Sequence, residues 1–594
     1  MPTDYPLIRP SLTLDFANTK TLDPRITYTR ASAGTYYDGK TVALAEQNLL
    51  TYSQELATAP WVAQGGGVIT AANNAASAPD GNATATSLIP TATNSNVHRI
   101  AYGTTTGYFT AGLSYTFSIY VKASGYTGIL LSNDSPAVTV VVDLVGLTAS
   151  GGATITSVGN SWYRIVCPSF VAGAAITLRI NVFDTAANAT TVTSYTGNGT
   201  SGILAWGAQL EQRSTVTAYT ATTTAPITNY VPVLLSAPAN VARFEHNPVT
   251  GESLGLEIEE QRTNLDLYSA QFDNVFWTTQ NASIISNTII SPDGTLTGDK
   301  MVGNTLDTFH YGKGFVAVSA GTYTYSIYAK AGEYTTCFIN FPDDTKLSTF
   351  NLATGAVITA AAGVTASITS VGNGWYRLMC THTLASSATV NPLFGLQTGG
   401  FIGNGFSGIY IWGAQLEAGA FATSYIPTTV SQVTRSADSA SMTGTNFSSW
   451  YRADEGTVYS EASVLSVAST TPQNIWSIYT SSTSHIRLWI WEGAPTVNRF
   501  LVSNGTTQAE ITSSALTANT PFKNASAYKV NDFAASTNAA TVGTDTTGTI
   551  PAGFTTLNIG NYTGSISYMN GAIKKLAYYP RKLTNAELQS LTVI

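Results

Sequence analysis

Charge is what this chain has least of. Only 10% of its 594 residues are Asp, Glu, Lys or Arg, against about 25% in ordinary globular proteins. The formal net charge is −7, so no basic face is expected for nucleic acid. Long hydrophobic runs are missing too. No stretch approaches the ~20 apolar residues of a membrane-spanning helix, so membrane insertion is not expected. The opening MPTDYPLIRPSLTLDF lacks the charged-then-apolar order of a signal peptide, and assembly in a cytoplasm is expected. Three cysteines are too few for a disulfide framework. Cys167 and Cys380 hold the same place in a repeated phrase, and Cys337 could in principle meet Cys380. All three read best as small buried apolar side chains. The five histidines, His98, His246, His310, His382 and His485, stand alone in the sequence. H-E-x-x-H is absent; GESLG at 251–255 and GTYYDGKT at 34–41 carry the letters of G-x-S-x-G and of a Walker loop, and neither is expected to act as a catalytic motif.

Gly, Thr, Ser, Ala and Asn fill the space left by charge, with 31 Tyr and 22 Phe but only 5 Met. Few windows carry apolar residues at helical spacing. That mixture favours many short strands and tight turns. The length calls for roughly three or four domains at ~150 residues each.

One phrase is written twice. SVGNSWYRIVC begins at Ser157 and SVGNGWYRLMC at Ser370, identical at eight of eleven positions. A longer set of words surrounds each copy in the same order. Asn48, Tyr52 and Trp61 answer Asn264, Tyr268 and Trp277. YTFSIYVKA answers YTYSIYAKA, and GILAWGAQLE ending at Glu211 answers GIYIWGAQLE ending at Glu417. Only the intervals drift, as when loops absorb indels on a fixed scaffold. Near 210 residues, the period is too long for a solenoid unit, and the chain reads as a tandem duplication of a whole domain. In YTYSIYAKA, Tyr323, Tyr325, Ile327 and Ala329 alternate with Thr324, Ser326, Tyr328 and Lys330, the period of a half-buried strand. VGNG is turn chemistry feeding the next strand. The sum is an all-β chain of tandem antiparallel β-sandwiches of jelly-roll type. One departure stands out: TAYTATTT closes copy one where copy two has TSYIPTT.

The ordered words NLLTYSQ…W, APDG, YTFSIYVKA, SVGNGWYR, GIYIWGAQLE and TSYIPT resemble the carbohydrate-binding-module-like jelly rolls of bacteriophage tail and fibre proteins. The resemblance covers 47–226 and 263–428. TRASAGTYYDGK and ARFEHNPVTGESLGLEIEEQRTNL resemble the lead-in segments of the same proteins. After a short linker, 429–439, the vocabulary changes. Residues 440–594, closing on NGAIKKLAYYPRKLTNAELQ, resemble a concanavalin A-like, laminin-G-like jelly roll. Pro580 should end the last strand, and Thr584 with Glu587 should form a capping box on one short helix. Residues 1–46 are expected as a particle-docking segment and 227–262 as a second lead-in or linker.

The resemblance implies a non-catalytic virion protein, a tail fibre or receptor-binding subunit adhering to host-surface polysaccharide. Its partners would be other virion proteins, through the N-terminal segment, and copies of itself. A homotrimer suits a fibre, although no coiled-coil heptads support one. The alternative is a capsid or baseplate decoration protein with an architectural role only. A β-helical depolymerase would show a short rung period, and none is present. The acidic run Glu252, Glu257, Glu259 and Glu260 could supply a glycosidase pair. It lies in the lead-in segment beside Arg262, however, and reads as a solvated hinge.

Aromatic residues remain for sugar binding, since sugar rings bury their C–H faces against flat side chains. Trp61, Trp162 and Trp206 match Trp277, Trp375 and Trp412, which argues first for a shared core. Trp489 and Trp491, two apart, share a strand face with Arg487 and form the candidate glycan ladder. No cofactor is expected beyond a structural Ca²⁺, for which Asp343 and Asp344 are the candidate ligands.

Overall fold

The computed structural model of the chain describes residues 6–64, 68–95, 98–102, 109–134, 137–173, 176–191, 194–467, 472–491 and 497–594. Strands hold 52% of residues and helices 4%, so packing is sheet on sheet throughout. Each repeat is a two-sheet sandwich. In copy one a six-stranded sheet faces a seven-stranded one, and in copy two two six-stranded sheets face each other. Ser114–Ser124 pairs with Gly202–Glu211 in the first, and Gly321–Ala331 pairs with Gly408–Ala418 in the second. Ile119, Ile129, Ile180 and Leu210 belong to one core; Ile327, Ile339, Phe394 and Leu416 belong to the other. Cys167, Cys337 and Cys380 are free and buried. Burial alone pushes the Cys167 thiol up to about 12.

The repeated words have local causes. Thr365–Gly372 turns into Trp375–Leu384 through Asn373 and Gly374, both at positive φ, a conformation that Asn and Gly tolerate. In the WGAQLE word the register shifts just after Trp206 in copy one and just after Trp412 in copy two. Gly207 and Gly413 sit there at φ +62° and +64°, and a Cβ on either would lie 2.9 Å from the Tyr120 or Tyr328 ring. Only glycine lets the bulged strand pass that ring. The Asn of each NL word ties the repeat's two ends together. Asn48 Nδ2 donates to the Ala208 and Thr220 carbonyls, and Asn264 Nδ2 to those of Ala414 and Ile426. Despite its altered wording, the end of copy one keeps Tyr219 on the Ser53 hydroxyl at 2.6 Å, as Tyr425 meets Ser269 at 2.7 Å.

Residues 323 to 329 are buried on both faces, not one. The cause is a long two-stranded ribbon, Gly34–Asn48 paired with Ile227–Ala237. Its Tyr37, Ala45, Val231 and Leu234 cover the outer aromatic face of copy two, formed by Tyr328, Trp375, Tyr410 and Trp412.

The third sandwich is composite. Leu12–Asp15 and Ser253–Ile258 both pair with Gly571–Tyr579, and Thr27–Thr29 pairs with Ser439–Thr443. The segments expected as a docking arm and a linker are therefore strands of the C-terminal domain and of the ribbon. Gly571–Tyr579 ends just before Pro580, and Thr584 and Glu587 close a capping box on Asn585–Leu591.

The acidic run is solvated only in part: Glu252 lies exposed against Lys574, but its centre is not a hinge. Glu257 and Glu259 are buried with three arginines from distant parts of the chain. Arg243 reaches Asp438 at 2.6 Å, Glu259 at 2.9 Å and Glu257 at 3.0 Å. Arg30 reaches Asp438 at 3.1 Å, and Arg435 reaches Glu259 at 3.3 Å. Burial raises the Glu259 carboxyl, but Arg435 and Arg243 outweigh it and hold it at about 2. This node joins the N-terminal strands, the ribbon, the exit of copy two and the third sandwich.

Candidate functional site

Each repeat carries an outer aromatic face. On copy one this face is Tyr120, Trp162 and Trp206; on copy two it includes Tyr328, Tyr410 and Trp412. The aromatic trio is built twice. Tyr120–Trp206 and Tyr328–Trp412 centroids are 5.2 and 5.3 Å apart, and Trp206–Tyr219 and Trp412–Tyr425 are 4.6 and 4.7 Å apart. What the copies do not share is how each trio is covered. Copy two has the ribbon over it. Copy one has Phe406 of copy two, edge-on to Tyr120 at 6.0 Å and to Trp206 at 6.2 Å.

Beside Phe406 the two modules and the ribbon leave a cleft of about 370 Å³, within the usual range for small-ligand sites. Trp206, Tyr219, Gln54 and Asp80 line it from copy one. Lys330, Glu333 and Tyr410 line it from copy two, and Glu46 and Asn229 from the ribbon. Lys330 and Tyr410 are register partners on adjacent strands, which sets them side by side. Lys330 Nζ donates to Glu46 and, at 2.6 Å, to the Asn373 carbonyl. Asn373 Nδ2 donates to the other Glu46 oxygen at 2.9 Å. Glu333 accepts from Lys300 Nζ at 2.9 Å and from the Gly408 amide at 3.0 Å. Lys300 Nζ itself lies 4.4 Å from the Phe406 ring centre. Tyr410 is 6% exposed, and its hydroxyl makes no hydrogen bond among the described residues. Burial, then the Glu333 charge, pushes that phenol well above its ordinary range, so it stays protonated. Aromatic edges, amides and fixed carboxylates around an open polar space are the groups that hold a sugar's C–H faces and hydroxyls.

The residues singled out from sequence lie elsewhere. Arg487 and Trp489 do share the outer face of Ser484–Trp491, while Ile486, Leu488 and Ile490 enter the core. The Arg487 guanidinium lies over the Trp489 ring at 4.2 Å and over Tyr562 at 4.5 Å. Trp489 is 6% exposed, so this stack is not an open platform. His485 joins it through the Tyr562 hydroxyl at 2.9 Å. Burial, then the Arg487 charge, brings this imidazole down to about 4. The Trp491 side chain lies outside the described residues. Asp343 accepts from the amide and hydroxyl of Thr345, which folds its own loop, and Asp344 pairs with Lys313 at 3.2 Å. Among the described residues no three His, Cys, Asp or Glu side chains converge on a metal-sized point, and no helix is long and apolar enough to cross a membrane.

Sequence reasoning set Trp206 aside because it was matched. The informative signal was the mismatches. Glu333, Phe406 and Tyr410 replace Gly125, Thr200 and Leu204 of copy one; Glu333 and Tyr410 line the cleft, and Phe406 packs on Trp206, which also lines it.

No protein-family model and no curated protein matches the chain. Among solved structures it is similar to the CBM40 module of a Ruminococcus gnavus IT-sialidase, bound there to alpha2,3-sialyllactose. The identity is 14% and the TM-score 0.22, over 25% of this chain and 87% of that one. It is similar to the tandem CBM22 domains of Paenibacillus barcinonensis Xyn10C at 12% identity and TM-score 0.19, over 63% of this chain and 98% of that one. The LG4-5 domains of the mouse laminin alpha1 chain match at 10% identity and TM-score 0.17, over 48% and 88%. The fold assignment rests on the strand topology rather than on these likenesses.

Proposed function

We propose that this chain is a non-catalytic adhesion protein of a bacteriophage virion, a tail fibre or receptor-binding subunit, and that it grips host-surface polysaccharide in the cleft between its repeated modules. The observation that carries this reading is the cleft itself. Tyr410, whose hydroxyl has no hydrogen-bond partner among the described residues, lines it beside Trp206, Tyr219 and fixed carboxylates. The resemblance of the repeated words to phage tail proteins supplies the virion. Catalysis is not part of the reading: a glycosidase needs one carboxyl free to give its proton and a second free to attack or activate water, whereas Glu46 and Glu333 are each tied to a lysine. Several copies on one particle would multiply a weak single site. Particle contacts would fall on folded surfaces, because the strands of the N-terminal segment are built into the third sandwich and the ribbon.

An architectural role in a capsid or baseplate is favoured by one observation. Trp162, Trp206, Trp375 and Trp412 are all fully buried at the junctions, so the duplicated aromatics already serve assembly. Adhesion of intact protein to host cells separates the two readings. Binding that soluble host polysaccharide competes away supports the adhesion reading. Absence of cell binding, with incorporation into purified particles, overturns it in favour of the architectural one.

A further inference from the structure

The cleft also carries a statement about which sugars it takes. Resting on the adhesion reading, we infer that it selects glycans whose units carry hydroxyl or amino groups and excludes those bearing carboxylate, sulfate or phosphate. Three of its lining side chains are acids, Glu46, Asp80 and Glu333, against one lining cation, Lys330. That cation is already paired: Lys330 is held by Glu46 and by the Asn373 carbonyl. Lys300, the partner of Glu333, stands outside the lining residues and against the Phe406 ring. The acids keep acceptor capacity. Glu333 uses one contact on each oxygen, to Lys300 and to the Gly408 amide, and a carboxylate oxygen can accept about two hydrogen bonds. The Asp80 carboxylate accepts only from within its own turn among the described residues, from the amide and side chain of Asn82.

The space therefore offers acceptors that want hydroxyl or ammonium donors. Among the described residues the hydroxyl of Tyr410, which lines the cleft and is more than nine-tenths buried, has no hydrogen-bond partner and can both donate and accept. An acidic sugar would bring a like charge into a partly desolvated site whose one lining cation is already paired with Glu46. Coulomb repulsion there is far less screened than in bulk water. Such built-in repulsion is how a site rejects close chemical relatives.

The test is titration of the full-length protein with four defined probes: a glucosamine trimer, an N-acetylglucosamine trimer, a galacturonic acid trimer and sialyllactose. Each is repeated with Tyr410→Phe, Glu333→Gln and Asp80→Asn, after thermal melts show that each variant is folded. The neutral and amino probes should bind at least roughly tenfold tighter than the acidic ones. Asp80→Asn and Glu333→Gln should narrow that gap, and Tyr410→Phe should weaken every probe that binds. Galacturonate or sialyllactose binding as tightly as the neutral probes, with loss in Tyr410→Phe, overturns the selectivity and leaves the cleft as the site. Binding by no probe, or binding unaffected by all three variants, overturns the cleft reading and the selectivity with it.

Discussion

Removing the Asp438 carboxylate would leave Arg30 buried without its ion partner and take from Arg243 one of its three. Arg30 and Arg243 both end on it, at 3.1 and 2.6 Å, and all three side chains are inaccessible to solvent. The Tyr28 hydroxyl and the Glu259 amide also donate to it, at 2.5 and 2.9 Å. Breaking one member of a buried ion network costs about 3–5 kcal/mol, because the surviving charge keeps its desolvation penalty. Set against a typical domain stability of about 5–15 kcal/mol, Asp438→Ala should remove a large share of the stability of the third sandwich. Asp438→Asn should fare little better, since it keeps the hydrogen-bonding shape but loses the charge. The control is Glu510→Ala. It breaks the Arg499–Glu510 pair, in which the side chains are 29% and 34% exposed, and should cost no more than about 1 kcal/mol. Urea unfolding followed by circular dichroism gives both numbers. Limited proteolysis should show Leu12–Asp15 and Thr27–Thr29 released first in Asp438→Ala. If Asp438→Ala costs no more than Glu510→Ala, the node is not what binds the distant segments together.

Asp266 of copy two occupies the place of Leu50 in copy one. It is fully buried, neither carboxylate oxygen has a hydrogen-bond partner, and burial raises its pKa to about 8. Its unfolded value is near ~3.9, so the neutral acid's full stability is present below about pH 4 and is lost as pH rises through about 8. Melting temperature against pH should show that fall in the native protein and a flatter profile in Asp266→Leu; parallel profiles would refute it. Phe406→Ala removes the ring that covers Tyr120 and Trp206. It should cost about 3 kcal/mol and let the modules separate, seen as a larger radius of gyration in solution scattering; an unchanged profile would argue that the ribbon alone holds them.

The strands, the duplication and the capping box were legible because each is written locally, in alternation, in Asn and Gly at turns, or in a four-residue spacing. The composite third sandwich was not. Leu12 pairs with Tyr578 across nearly the whole chain, and pairing at that distance leaves no local pattern. Buried charge was misread for a related reason. Glu257 and Glu259 look like surface acids until Arg243, Arg435 and Asp438 arrive from elsewhere. At Trp489 the spacing correctly placed Arg487 on the same face, but spacing cannot tell a ring stacked under its own arginine from a ring open to a ligand. The composite architecture also bears on experiment. Deleting 436–594 would strip the partners from Leu12–Asp15, Thr27–Thr29 and Ser253–Ile258, so point substitutions are the cleaner tool.

The most direct measurement is calorimetric titration of purified host-surface polysaccharide into the intact protein and into Ala221→Trp. Ala221 is an exposed residue on the rim of the cleft, and an indole there would fill the opening without entering a core. The account predicts saturable binding by the native protein and its loss in a folded Ala221→Trp. Equal binding by both would contradict it and move the search for the glycan site away from the junction of the repeats.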